Sequence, residues 1–279
     1  MNVSAMNCHY RFYTLEDFFW YAHKNGFENV EIWTGPMHFY LDYRTHTSID
    51  VLRNLEKKYK IKVIGICPEQ TNPKPNNMCV KDKKDQERVF SYFKNAIDVA
   101  SEIKANQVVV TSGWAYYSED AHEALIRSAQ MMRRLAAYAE EKDVYLAIEA
   151  LQPRESILVN TIADLKTYLN LVNHDNLKIC LDLGAMAKAN ESISEYFDTF
   201  QDRIKHCHFV DGKPIGHLAW GDGDRDIFAD LNDFAHYNYQ GYLSFEIVNQ
   251  KYYQEPYFAD YKSIQLFNKW KKKYKEEVK

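Results

Sequence analysis

The chain has 279 residues, 46% apolar and 27% charged, with only 10 Gly and 7 Pro, which excludes fibrous, low-complexity and disordered classes. A net charge of −4, with Lys and Arg spread along the chain, offers no basic footprint for a phosphate backbone, so nucleic acid is not an expected partner. The longest apolar runs, such as Val144 to Ile148, fall far short of the ~20 residues that span a bilayer, and the N-terminus lacks a basic stretch followed by an apolar one. No membrane association is expected, and the cytoplasm is the expected location.

In chain order, apolar runs predict strands at Val3–His9, Asn29–Trp33, Lys62–Pro68, Gln107–Ser112, Tyr145–Ala150, Lys178–Gly184, His206–Asp211 and Tyr242–Val248. Helical periodicity fills the intervals, starting near Thr14, Ser48, Asp82, Ala121, Thr161, Ser192 and Phe228, with a last helix from about Tyr257. Several starts carry a residue able to cap the first free amides, as in Thr14-Leu-Glu-Asp and Ser48-Ile-Asp. The strands read as continuous apolar runs, the pattern of a parallel sheet covered by helices. Eight consecutive βα units with no Pro/Gly/Ser-rich linker fit an α/β fold closed into one (β/α)8 TIM barrel, with residues 1–279 as a single domain.

Five cysteines, odd in number and without a CxxC pair, point to reduced, buried thiols. Neither GxGxxG nor GxxxxGK[ST] occurs, so the glycines that cradle dinucleotides or P-loop phosphates are missing. The basic run from Lys271 reads as a solvated helix end, where cations also suit the C-terminal dipole.

The sharpest signal is a set of ionisable residues placed alike on the last four strands. Strand five ends Leu146-Ala-Ile-Glu149, strand six contains Leu181-Asp182-Leu, strand seven reads His206-Cys-His208 and strand eight ends Phe245-Glu246. A barrel brings the C-terminal ends of its strands around one mouth, so Glu149, Asp182, His208 and Glu246 are expected to converge there. Charges inside apolar runs are costly unless compensated. Three carboxylates and one imidazole suit a divalent ion such as Mn²⁺, Co²⁺ or Mg²⁺ better than a thiolate-loving structural zinc. His206 shares a strand face with His208 and is expected behind it, while Asp211 reads as a helix or loop cap.

Several stretches resemble the xylose-isomerase-like barrel superfamily, in particular its sugar isomerase/epimerase group, nearest to the fructoselysine 3-epimerase branch. They are Val30-Glu-Ile-Trp33-Thr-Gly, Pro68-Glu69-Gln-Thr-Asn72, Ile148-Glu149-Ala-Leu-Gln-Pro153-Arg-Glu155-Ser156, His206-Cys-His208-Phe-Val-Asp211 and Gly241-Tyr-Leu-Ser-Phe-Glu246. The resemblance runs the whole length. It implies one divalent ion, Mn²⁺ foremost with Co²⁺, Mg²⁺ or Zn²⁺ as alternatives, held by Glu149, Asp182, His208 and Glu246. It further implies a small sugar substrate, with homo-oligomerisation left open. The family's substrate-binding glutamate falls on Glu155, and its loop histidine falls on His217, ahead of Gly221-Asp-Gly223. Two positions depart from the pattern: Ala185 stands where many ketose epimerases carry a histidine, and Trp220 replaces an expected proline.

Inverting a carbon beside a carbonyl needs bases on two faces and stabilisation of an enediolate, roles that the resemblance gives to Glu149 and Glu246 as the catalytic pair. Trp33, Trp114 and Trp220, in βα loops, are candidates to stack on substrate, with Trp33 and Trp114 foremost. The Glu69-to-Asp82 loop is long enough to be a lid. Aldose–ketose or inosose isomerisation uses the same metal logic and stays open. A metal-dependent phosphodiesterase would need more histidines and a basic groove, and a non-catalytic sugar-binding protein would have no chemical need for all four ligands.

Overall fold

The computed structural model describes residues 1–70 and 72–277. Eight parallel strands close a barrel in sequence order: β1 Asn2–Met6, β2 Asn29–Trp33, β3 Lys62–Cys67, β4 Gln107–Val110, β5 Tyr145–Ile148, β6 Leu177–Asp182, β7 Ile204–His208 and β8 Tyr242–Phe245. Closure is direct, with Asn2 paired to Tyr242 and Ala5 to Phe245. None of these eight strands is left as an edge.

Around the barrel run α1 Leu15–Asn25, α2 Asp50–Tyr59, α3 Lys83–Glu102, α4 Ala121–Glu141 and α5 Ile162–Val172, then α6 Leu183–Ala189, α7 Ile193–Phe200, α8 Ile227–His236 and α9 Pro256–Glu277. Thr14, Thr161 and Ser192 each close a capping box, accepting from the third helical N–H while the acid at that position bonds back. At α2 the expected cap is weaker: Ile49 occupies the capping position, and Ser48 Oγ only accepts from Asp50 N at 3.3 Å. The apolar faces of the helices cover the outside of the barrel, burying rings such as Phe18, Phe93, Tyr168 and Phe234. No described helix is long and apolar enough to cross a membrane.

Most strand ends shift from the sequence reading, β7 beginning at Ile204 where His206 was expected, and two of the differences shape the mouth. The strands stop earlier than their apolar runs, so Glu149 and Glu246 stand one residue beyond β5 and β8. The run ending at Gly184 also conceals α6, whose N-terminus is capped by Asp182 accepting from Ala185 N. The chain turns from strand to helix at that carboxylate, which puts its side chain at the barrel rim.

Candidate metal centre and active site

The four strand-end residues meet. Glu149, Asp182, His208 and Glu246 each offer a ligand atom, and these atoms lie within 4.8 Å of one another. His208 is the centre of the group: its Nδ1 is 2.9 Å from Glu149 Oε2, 3.2 Å from Glu246 Oε2 and 4.0 Å from Asp182 Oδ2. His208 is fully buried, whereas Glu149 and Glu246 keep 12% and 16% of their side chains exposed, so the glutamates reach the cavity above.

Two atoms test whether this set fits a cation. Asp182 Oδ2 and His208 Nδ1 are buried and lack hydrogen-bond partners among the described residues, although native interiors rarely leave such atoms unmet. Both face the shared centre. Hard carboxylate oxygens with one imidazole nitrogen suit a divalent ion of the Mg²⁺, Mn²⁺ or Co²⁺ kind, so the residues fit the group they were expected to hold.

The electrostatics divide the two glutamates. Burial pushes the Glu149 carboxyl up to about 7. Burial acts on Glu246 in the same direction, but the charges and hydrogen bonds of His208 and His217 overcome it and hold that carboxyl well below the usual range. For His217 burial disfavours the charged ring, yet Asp182 and Glu246 raise its pKa to about 10. Its Nδ1 is 3.0 Å from Glu246 Oε2 and its Nε2 3.7 Å from Asp182 Oδ2.

A cavity of about 290 Å³ opens over the cluster. Glu155, His217 and Trp33 line it, as do Ala185 and Arg154. Trp33 is pinned to the barrel wall among Met6, Cys8, Cys67 and Val109, and the Arg11 guanidinium lies 5.2 Å from its ring centre. Glu155 is fixed from below, its Oε2 accepting from Gln152 N at 3.0 Å. Trp114 takes a different place: it is not among the cavity-lining residues, and its indole N–H donates to Lys74 O. Trp220 is buried in the core, packed on Phe209 and donating from its indole to Phe209 O, so the substitution for proline leaves the cavity wall untouched. An indole satisfied by backbone is indistinguishable in sequence from one waiting for a ligand.

The loop bearing His217 is built around one side chain. Asp211 accepts from Gly212 N and Arg225 N on Oδ1 and from Gly221 N and Gly223 N on Oδ2. It is the loop cap that its position suggested. On the opposite rim, the 69–82 loop, whose residue 71 lies outside the described residues, is tied down by Asn72 donating to Glu155 O and Asn77 donating to Trp114 O. All five cysteines are free and buried.

Sequence reasoning passed over Glu31, a fully buried carboxylate on β2 that reaches both His206 and His208. The signal was present: an acid between Val30 and Ile32 in a five-residue apolar strand. The cavity also recruits Gln70, Thr111 and Asn249, polar loop residues to which the sequence reading gave no role.

A closed parallel barrel with a carboxylate–imidazole cluster that could hold a cation at its C-terminal mouth, the face where such barrels carry their active sites, defines the class of the fold and site. The family model described as "Xylose isomerase-like TIM barrel" matches residues 19–278, and the chain belongs to that family. It is similar to fructoselysine 3-epimerase of Shigella flexneri, 28% identical over 96% of this chain and 97% of the relative. It is also similar to D-psicose 3-epimerase of Enterocloster bolteae, 25% identical over 70% of this chain and 66% of that one. Among solved structures, a D-tagatose 3-epimerase-like protein superposes over 100% of both chains with a TM-score of 0.82 at 19% identity, a likeness of fold.

Proposed function

We propose that residues 1–279 form one sugar isomerase/epimerase domain that inverts C3 of a ketose, with fructoselysine and its C3 epimer as the substrate pair. Curated relatives named as 3-epimerases support an isomerase. The observation that supports the reaction type is the flanking of His208 by Glu149 and Glu246 under an open cavity, two carboxylates that follow different strands. The buried free thiols support a reducing compartment such as the cytoplasm.

Glu149, Asp182, His208 and Glu246 would hold the divalent ion, Mn²⁺ being our first choice. When bound, such an ion polarises the ketose carbonyl and offsets the negative charge that develops as C3 loses its proton. Glu246, held ionised by its histidines, takes the C3 proton from one face, and Glu149 returns one to the other. Glu155 and His217 hold substrate hydroxyls, and Trp33 gives the sugar an apolar wall. Trp114 acts at one remove, bracing the 69–82 loop through Lys74.

The substrate choice rests on space and charge. Ala185 leaves the wall beside Asp182 open where a larger side chain would narrow it, and Arg154 sets a guanidinium at the rim for the carboxylate of an amino-acid substituent. The test is incubation of the Mn²⁺-supplied enzyme with fructoselysine, fructose and tagatose in deuterated water, followed by NMR. Deuterium at C3 of fructoselysine, with the highest kcat/KM of the three, is expected. Exchange at C1 would replace epimerisation by aldose–ketose isomerisation, and a free hexulose turned over as fast as the lysine adduct would sink the substrate assignment.

A further inference from the structure

Beneath the cluster, inside the barrel, lies a second polar layer to which the reaction assigns no task. Glu31 from β2 spans the interior to β7, where its Oε2 is 2.6 Å from His206 Nε2 and its Oε1 is 3.5 Å from His208 Nε2. All three side chains are fully buried.

The two nitrogens of His208 therefore face different surroundings. Nδ1 looks up at Glu149, Glu246 and Asp182, and Nε2 looks down at Glu31. A neutral imidazole carries its proton on one nitrogen only, and the partner of the other nitrogen decides which. A metal-binding histidine must present a bare nitrogen to the ion, and a carboxylate on its far side is the usual means of holding the proton away from that nitrogen. Glu31 stands where such a carboxylate is needed, and His206 occupies its second oxygen, which fixes its rotamer.

We propose that Glu31 is a positioning residue: it draws the single proton of His208 to Nε2, so that Nδ1 is presented bare to the divalent ion, and His206 anchors it there. The inference rests on reading the four-residue cluster as a cation site, and its test separates the two. The first measurement is Mn²⁺ binding to chelator-treated protein by calorimetry, comparing wild type with Glu31→Gln, which keeps the shape and removes the charge. The expected result is a Kd weakened by about 10- to 100-fold, the usual cost of losing such a partner, with kcat recovered at saturating Mn²⁺. An unchanged Kd in the variant would overturn the role of Glu31 and leave the cation site standing. No Mn²⁺ uptake by the wild type would overturn both.

A purely structural Glu31 would lower thermal stability without moving Kd, so the melting temperature of each metal-free protein is measured alongside. Should Glu31→Gln fail to fold, the wild type decides alone. ¹⁵N-histidine correlation spectra of the Zn²⁺-loaded protein, which is diamagnetic, are expected to show the His208 proton on Nε2. A proton on Nδ1 would refute the proposal.

Discussion

Gly184 and His217 meet across the mouth of the barrel: a methyl group placed on Gly184 would lie 3.0 Å from His217 Nε2 and 3.2 Å from Asp182 Oδ1. The glycine sits in the first turn of α6, where its cost in helix propensity is about 1 kcal/mol relative to alanine. Its absence of a side chain serves the close approach of the histidine. Gly184→Ala is expected to leave the melting temperature unchanged or slightly raised, while kcat/KM falls by about tenfold as His217 is pushed aside. Calorimetry and steady-state kinetics on the same preparation check this. An unchanged kcat/KM would mean that His217 has no fixed task.

Glu246→Gln separates binding from proton transfer. The amide retains an oxygen for the ion but cannot accept the C3 proton, so kcat is expected to fall by ~10²–10⁴-fold, the usual worth of a positioned base. Substrate should still bind, measurable by calorimetry. Near-normal turnover would assign the base elsewhere.

The metal-free protein should lose stability as pH rises through the neutral range. His217 titrates at about 10 in the folded chain, against ~6.5 when unfolded. Its contribution is therefore complete below the unfolded value and is lost between the two as pH climbs. Glu149, raised to about 7 from ~4.3 unfolded, works in the same sense at lower pH, because the folded state retains a proton that the unfolded chain has released. Melting temperatures of chelator-treated protein at pH 6, 7.5 and 9 are expected to decline in that order. A hundredfold excess of Mn²⁺ over its Kd should add about 2.7 kcal/mol and flatten the decline, since the ion replaces protons at the carboxylates.

Arg154 offers a test of the substituent that leaves the reacting carbon alone. It lines the cavity, while two-thirds of its side chain is exposed and its nearest carboxylate, on Glu155, is 3.9 Å away. Arg154→Ala is expected to raise KM for fructoselysine by about tenfold, in keeping with loss of one charge-assisted contact, and to leave KM for fructose unchanged. Equal effects on both sugars would show that Arg154 shapes the cavity without reading the substituent.

The carboxylate–histidine cluster was legible because its residues break a pattern. Glu149, Asp182, His208 and Glu246 interrupt apolar runs at matching places, and strand order alone makes them neighbours. Glu31 breaks its run in the same way, but it lies on the second strand, far in order from the other four, and only barrel closure shows that its side chain crosses to β7. The helix α6 was masked by Leu183 and Gly184 continuing an apolar run. Its markers, a capping Asp182 and a left-handed Asn190 after Ala-Met-Ala-Lys-Ala, become decisive once the strand is known to end. Of the three tryptophans that were candidates to stack on substrate, Trp33 alone lines the cavity, a distinction set by tertiary neighbours that no local pattern encodes.

Asp211 follows His208 by three residues, and its four backbone bonds shape the loop that carries His217. One stretch of chain thus fixes both histidines, and a substitution that bends it disturbs ion and sugar together. The wall formed by Arg154 and the 69–82 loop is held by separate contacts, Asn72 donating to Glu155 O among them, and carries neither histidine. Descendants of this chain that acquire new sugars should therefore accumulate their changes on that side, while the β7 side drifts little. Directed evolution toward a different ketose is best confined to libraries on the tolerant wall.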